Sequence, residues 1–190
     1  MIRQCIATTA ILIAGQAAIA DEFTPALESY LNDNITLWAT DPVIVEALRA
    51  ANAHTAGYDS GQIETLDQAW RGEIGSGSTP TITPVLENPA SDFLRSQVDR
   101  SGGVISEVFI MDHVGLNVAA SSVTSDMWQG DEAKFTQTYS QGAGAVHIGE
   151  VEFDESSQTY LGQVSISITD PNTGDLLGAM TVGLNAEALF

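Results

Sequence analysis

Two hydrophobic periods divide the chain, and one gives way to the other near Gly103. Ahead of that point apolar residues recur at three- and four-residue steps. From Phe23 the set Leu27, Leu31, Ile35 and Trp38 defines one helical face. Thr40-Asp41-Pro42 reads as a break and restart, with Asp41 placed to cap the next helix and Pro42 suited to its first turn. Ile44, Leu48 and Ala51 carry the stripe on to Gly57. A third helix is expected over Gln62–Glu73, with Ile63, Leu66, Ala69 and Trp70 facing inward. The segment Gly75 to Pro84 reads as a loop, and a further helix starts at Pro89, carries Phe93, Leu94 and Val98, and ends at Gly102-Gly103.

Beyond Gly103 the period falls to two. Val104–Met111 is rich in β-branched and aromatic residues, Asp112 to Gly115 resembles a hairpin turn, and Leu116–Ser121 returns. Val146–Phe153, Tyr160–Thr169 and Leu176–Leu184 are the third, fourth and fifth strands. The fourth alternates cleanly, with Tyr160, Gly162, Val164, Ile166 and Ile168 on one face and Leu161, Gln163, Ser165, Ser167 and Thr169 on the other. Hairpin-length connections predict an antiparallel sheet. One long insertion, Thr124 to Val146, separates the second and third strands. The expected fold is therefore α+β and PAS-like: five antiparallel strands, long N-terminal helices on one face and a helical insertion on the other.

The first twenty residues stand apart from this pattern. Arg3, an apolar run from Ile6 to Ile19 and the small residues before Asp21 have the layout of a secretory signal peptide cleaved after Ala20. That leaves residues 21–190 as a single exported domain, periplasmic or secreted, with no segment fit for membrane insertion. The only cysteine, Cys5, leaves with the leader, so disulfides and thiolate sites are excluded from the remainder. With 25 acidic against 6 basic residues the net charge is −19, and loss of Arg3 makes it one unit more negative. Nucleic acid is excluded as a partner, because phosphate binding needs clustered Lys and Arg. The charge serves solubility, and its field also attracts cations.

The strand-turn order resembles that of extracellular Cache domains, also called PDC sensor domains. The likeness is carried by "VFIMDHVGLNVAAS", Val108–Ser121, and by "GAGAVHIGEVEFDESSQTYLGQVSISITDPNTGDLLGAMTVGL", Gly142–Leu184. The shared pattern is strand, D-x-x-G turn, strand, helical insertion, strand, and a D-x-x-x-G hairpin before the last strand. The resemblance implies binding of a small molecule outside the cytoplasmic membrane and a signalling partner such as a membrane sensor kinase or chemoreceptor. It also implies long N-terminal helices, through which related sensors dimerise. Amino-acid-binding members carry an aromatic and an arginine in the insertion. Aligning Gly144-Ala145-Val146 with the start of their third strand puts Phe135 on the aromatic and Thr136 on the arginine. The bidentate carboxylate clamp is absent, so the resemblance does not favour an amino acid.

In such a fold the insertion closes over one sheet face. Trp128 and Tyr139 are amphipathic rings able to flank a guest, or to pin the insertion to the core. Asp126 is placed to hold an amine, with Asp131 and Glu132 either helping it or sitting at the start of a short helix. Lys134 is the only Lys or Arg between Arg100 and the C-terminus and is the natural counterpart of an anion. Met111, Asn117, Gln163 and Ser165 complete the candidate ligand set from the strands. His54, His113 and His147 lack metal-ligand spacing, and no nucleophile elbow or phosphate loop occurs. No cofactor is expected, and the favoured reading is non-catalytic ligand binding. Two other readings stay open: a ligand-free interaction subunit of a membrane kinase or receptor, and a hydrolase built on Asp126, Asp131 or Glu132. The apolar stripe of the first helix suits a homodimer and a sheet equally.

Overall fold

The computed structural model describes residues 16–155 and 158–190. Most of the predicted leader, residues 1–15, lies outside the described residues. The first helix, α1, runs Gln16–Asp33 and so crosses the predicted cleavage point after Ala20, starting before the expected Phe23. Its alanine-rich start favours helix. The apolar stripe continues further than the helix does. Leu27, Leu31 and Ile35 are buried as expected, but Ile35–Leu37 is a 3₁₀ turn. The stripe is taken up by the main core, against the sheet.

Helix α2, Pro42–Thr55, starts where Asp41 and Pro42 direct it, and the Asp41 carboxylate accepts from Val43 N–H at 3.0 Å. α3, Ser60–Glu73, is opened by a reciprocal capping box between Asp59 and Gln62. Of its four expected inward residues only Trp70 is fully buried. The expected loop from Gly75 to Pro84 is a loop only in part, because Ile82–Leu86 forms a short helix, α4. Its start is held from a distance. The Glu73 carboxylate accepts from Thr81 N–H at 2.8 Å and from Ile82 N–H at 3.0 Å, supplying acceptors that local side chains do not. α5, Pro89–Arg100, is capped by Asn88.

The sheet contains β1 (Ile105–Met111), β2 (Asn117–Ala120), β3 (Val146–Ile148), β4 (Glu152–Asp154), β5 (Thr159–Thr169) and β6 (Leu176–Asn185). Its order is β2-β1-β6-β5-β3, with β4 also on β5, and every pairing is antiparallel. The expected third strand is divided. Val146 to Ile148 and Glu152 to Asp154 pair with different stretches of β5, and Gly149 to Val151 breaks the ladder between them.

The two faces of the sheet carry separate cores. Val108, Ile110, Val164, Ile168, Met180, Val182 and Leu184 join residues of α1, α2 and α5. Phe109, Met111, Ala120 and Ala179 on the opposite face join Trp70, Ile82, Val85 and Phe135. Helices and insertion thus lie on the faces that the strand alternation requires, with α3 and α4 reinforcing the insertion side. No described helix is long and apolar enough to cross a membrane.

Glu73 gives the first prediction. Partial desolvation, the largest single influence, pushes its carboxyl up, but the hydrogen bonds from Ile82 and Thr81 together hold it below its ordinary value of 4.5. A carboxyl lowered by folding stabilises above its unfolded value, and that stability is lost as pH falls through the folded one. Glu73→Ala is expected to lower the melting temperature at pH 7, and its deficit relative to the parent to shrink as pH falls below the ordinary carboxyl value and to vanish below the lowered folded one.

Candidate functional site

The insertion is staked to the protein at several points. Asp67 on α3 accepts from Met127 and Trp128 N–H through one oxygen, at 3.0 Å each, and from Arg71 through the other at 2.8 Å. Arg71 reaches on to Asp126 at 3.2 Å. The Trp70 indole donates to the Thr124 carbonyl at 2.9 Å, and the Trp128 indole to the Val114 carbonyl at 2.8 Å. Trp128 lies flat on Gly130, where a Cβ would overlap the ring. Gly115 turns there with φ +87°, and its Cβ would meet the Gly130 backbone. Two glycines therefore make room for one indole. Further on, α6 (Ala133–Thr136) presses Phe135 into the second core, where Tyr139 stacks on it at 5.1 Å.

The candidate residues consequently fall into three places. Trp128, Asp126 and Asn117 sit together at the base of the insertion, where Asn117 Nδ2 donates to the Asp126 carbonyl at 3.0 Å and Gln129 binds the Asp126 carboxylate. Met111 and Tyr139 belong to the second core. Burial pushes the Tyr139 phenol above its ordinary value, and the negative charge of Asp112 adds to the effect. Ser165 is buried and exchanges a 2.9 Å hydrogen bond with Thr181 on β6. Lys134 and Gln163 meet in the third place, a groove.

That groove lies beside the insertion, between α6 and the β3–β4 edge, with a volume of about 1000 Å³. Ile148, Phe153 and Leu161 supply apolar wall, and Phe153 is 47% exposed. Lys134 is tied to Glu132 at 3.0 Å and to Gln129 at 3.2 Å, and its ammonium stands 5.3 Å from the centre of the Phe109 ring. Gln163 approaches Glu107 at 3.4 Å. Glu132, Glu150, Glu152, Asp154 and Glu155 border the groove with Lys134 as the one fixed positive charge, so its field favours cationic or neutral guests over anions.

Sequence reasoning passed over Asp67 and Asp112. Asp67 stands one helical turn from Arg71, a visible pairing, but its bonds to residues sixty positions on depend on the fold. Asp112 heads the D-x-x-G turn and is fully buried, accepting from Val114 and Leu116 N–H. His113, in the same turn, is half-buried against Asn52. Among the described residues no group of three or more His, Asp or Glu side chains is arranged to hold a metal ion. The carboxylates of Asp126 and Glu132 are engaged by Arg71 and Lys134, and Asp131 is exposed, so the concave cluster that a carboxylate hydrolase needs is not formed by them.

No family model and no curated protein matches the chain. Among solved structures it is similar to the sensor domain of the V. cholerae histidine kinase DctB, with 16% identity over 91% of this chain and 55% of that one, at a TM-score of 0.48. It is also similar to the ligand-binding domain of the Pseudomonas aeruginosa amino acid chemoreceptor PctC in complex with GABA, with 14% identity, coverage of 91% and 61%, and a TM-score of 0.42. A third is the sensory domain of the Campylobacter jejuni chemoreceptor Tlp3 with isoleucine bound, with 14% identity, coverage of 88% and 64%, and a TM-score of 0.39. The chain spans less than two thirds of each of those chains. At these identities no ligand and no residue role transfers to it.

Two outcomes are expected from the staked insertion. Trp128→Ala removes the indole that bridges Val114 and Gly130, and denaturant unfolding should show a loss of about 3 kcal/mol. In an alkaline absorbance titration, Tyr30 and Tyr139 should ionise late among the 4 tyrosines, because both phenols are raised by burial. Tyr139→Phe should leave a single late step.

Proposed function

We propose that this chain is an exported, non-catalytic sensor domain of the Cache type, whose binding cleft for a small organic molecule is the groove beside the insertion. Residues 21–190 form the working domain in this reading, released after cleavage at Ala20, and a membrane kinase or chemoreceptor receives the signal. One observation carries it: a concavity of about 1000 Å³ in which an exposed aromatic, Phe153, and apolar wall meet the polar groups of Lys134 and Gln163. That mixture of apolar surface and a few polar contacts is what small-ligand sites require. The carboxylates along the rim direct the choice towards a cationic or neutral guest.

A second reading, a ligand-free interaction subunit, is favoured by a different observation. Trp128, Phe135 and Tyr139, the rings best able to close on a guest, are engaged with the protein's own groups. The two readings separate in a thermal-shift screen of organic cations, neutral polyols and organic acids. Under the sensor reading a cationic or neutral compound at a hundredfold excess over its Kd raises the melting temperature by about 5–10 °C. The shift weakens in Gln163→Leu and in Lys134→Met. No shift from any class, together with co-purification of a membrane protein, would establish the interaction subunit instead.

A further inference from the structure

We propose a second binding site, in the cavity between α2, the α3–α4 segment and the β1–β2 hairpin, built for a compact primary ammonium ion with an apolar body. The site goes beyond the groove reading and does not depend on it. The cavity has a volume of about 420 Å³ and is lined by Asp112 and Asn117 together with apolar residues such as Leu66, Val85 and Met127.

Of its polar residues, Thr55 is bonded to Asp112 and the Tyr58 hydroxyl pairs with the His54 ring, whereas Asp112 and Asn117 are short of donors. Asn117 is 3% exposed, and its Nδ2 donates to Thr124 Oγ1 at 2.8 Å and to the Asp126 carbonyl at 3.0 Å. Those acceptors determine which end of the amide is nitrogen, and Oδ1 is left as a buried oxygen with no hydrogen-bond partner. Asp112 is 0% exposed. Its Oδ1 accepts from Val114 and Leu116 N–H at 3.0 and 2.9 Å. Its Oδ2 has only the Thr55 hydroxyl, at 2.8 Å, and that single proton is shared with the Ala51 carbonyl at 2.9 Å. No Lys, Arg or His forms an ion pair with Asp112 among the described residues. A buried carboxylate without a cation and an amide oxygen without a donor are both costly. They stand near one another, because Met111, which precedes Asp112, is the register partner of Asn117. An ammonium group brings three donors and the missing charge. An alcohol would satisfy Asn117 but not the charge, and a carboxylate would be repelled.

The test uses the full exported chain with n-butylammonium as probe and n-butanol and butyrate as neutral and anionic isosteres. Binding is followed by the Met127 methyl resonance in NMR titration. n-Butylammonium is expected to give a saturable shift, with affinity at least roughly tenfold above n-butanol, and butyrate none. Asn117→Leu should weaken binding about tenfold. Because that change also removes hairpin contacts, Ala51→Leu serves as an independent variant: it fills the cavity from α2, keeps the hairpin intact, and should abolish the shift. Lys134→Met, in the groove, should leave it unchanged. Absence of saturation, equal binding of n-butanol, or binding that survives Ala51→Leu would each overturn the proposal. Loss of binding in Lys134→Met alone would put the ammonium in the groove, overturning this site and supporting the other.

Discussion

Strand β6 is shut off from water on both faces, and the architecture hangs on that constraint. Ala179, Met180, Thr181, Val182 and Leu184 are all buried, with alternate residues directed to opposite cores. A strand covered on both sides needs a layer on each side. The long helices provide one, and α3, α4 and the insertion provide the other. Gly178 shows how close the fit is. A Cβ there would run into the Met111 carbonyl and the Leu48 side chain, so β1 and α2 approach β6 over a bare backbone.

The second layer is less uniform in its chemistry than the first. Helices α1, α2 and α5 attach through a broad aliphatic contact, which is roughly proportional to area and indifferent to direction, with a few directed bonds added from Asn52, Thr55 and Ser91. The insertion attaches through directed bonds, from the two N–H groups on Asp67 to the indoles of Trp70 and Trp128. Directed bonds hold a segment whose own helices are too short to stand alone. They also leave space at its margins: a groove towards β3 and β4, and a smaller cavity behind the β1–β2 hairpin. Both spaces share an excess of acceptors over donors.

Much of this was legible beforehand. The three-and-four spacing of Leu27, Leu31 and Ile35, the Asp41-Pro42 start and the alternation from Tyr160 to Thr169 each led to the element and buried face observed. Where expectation and structure part, the cause is an interaction across distance. α4 forms because Glu73 caps it from the end of another helix, and the third strand divides because its two halves meet different parts of β5. In the candidate site, Lys134 and Gln163 come together in one groove, whereas Trp128, Tyr139 and Ser165 are each matched by a partner within the protein.

The division follows from what a one-dimensional pattern holds. Periodicity and capping residues are local, so the linear order of residues was enough to specify the long helices, the main strands, the faces these bury and the acidic character of the surface. Which polar groups would be matched and which left wanting was decided only on folding. Asp112 and Asn117 look like ordinary turn and strand residues until α2, α3 and the hairpin enclose them and exclude the water that would otherwise satisfy them.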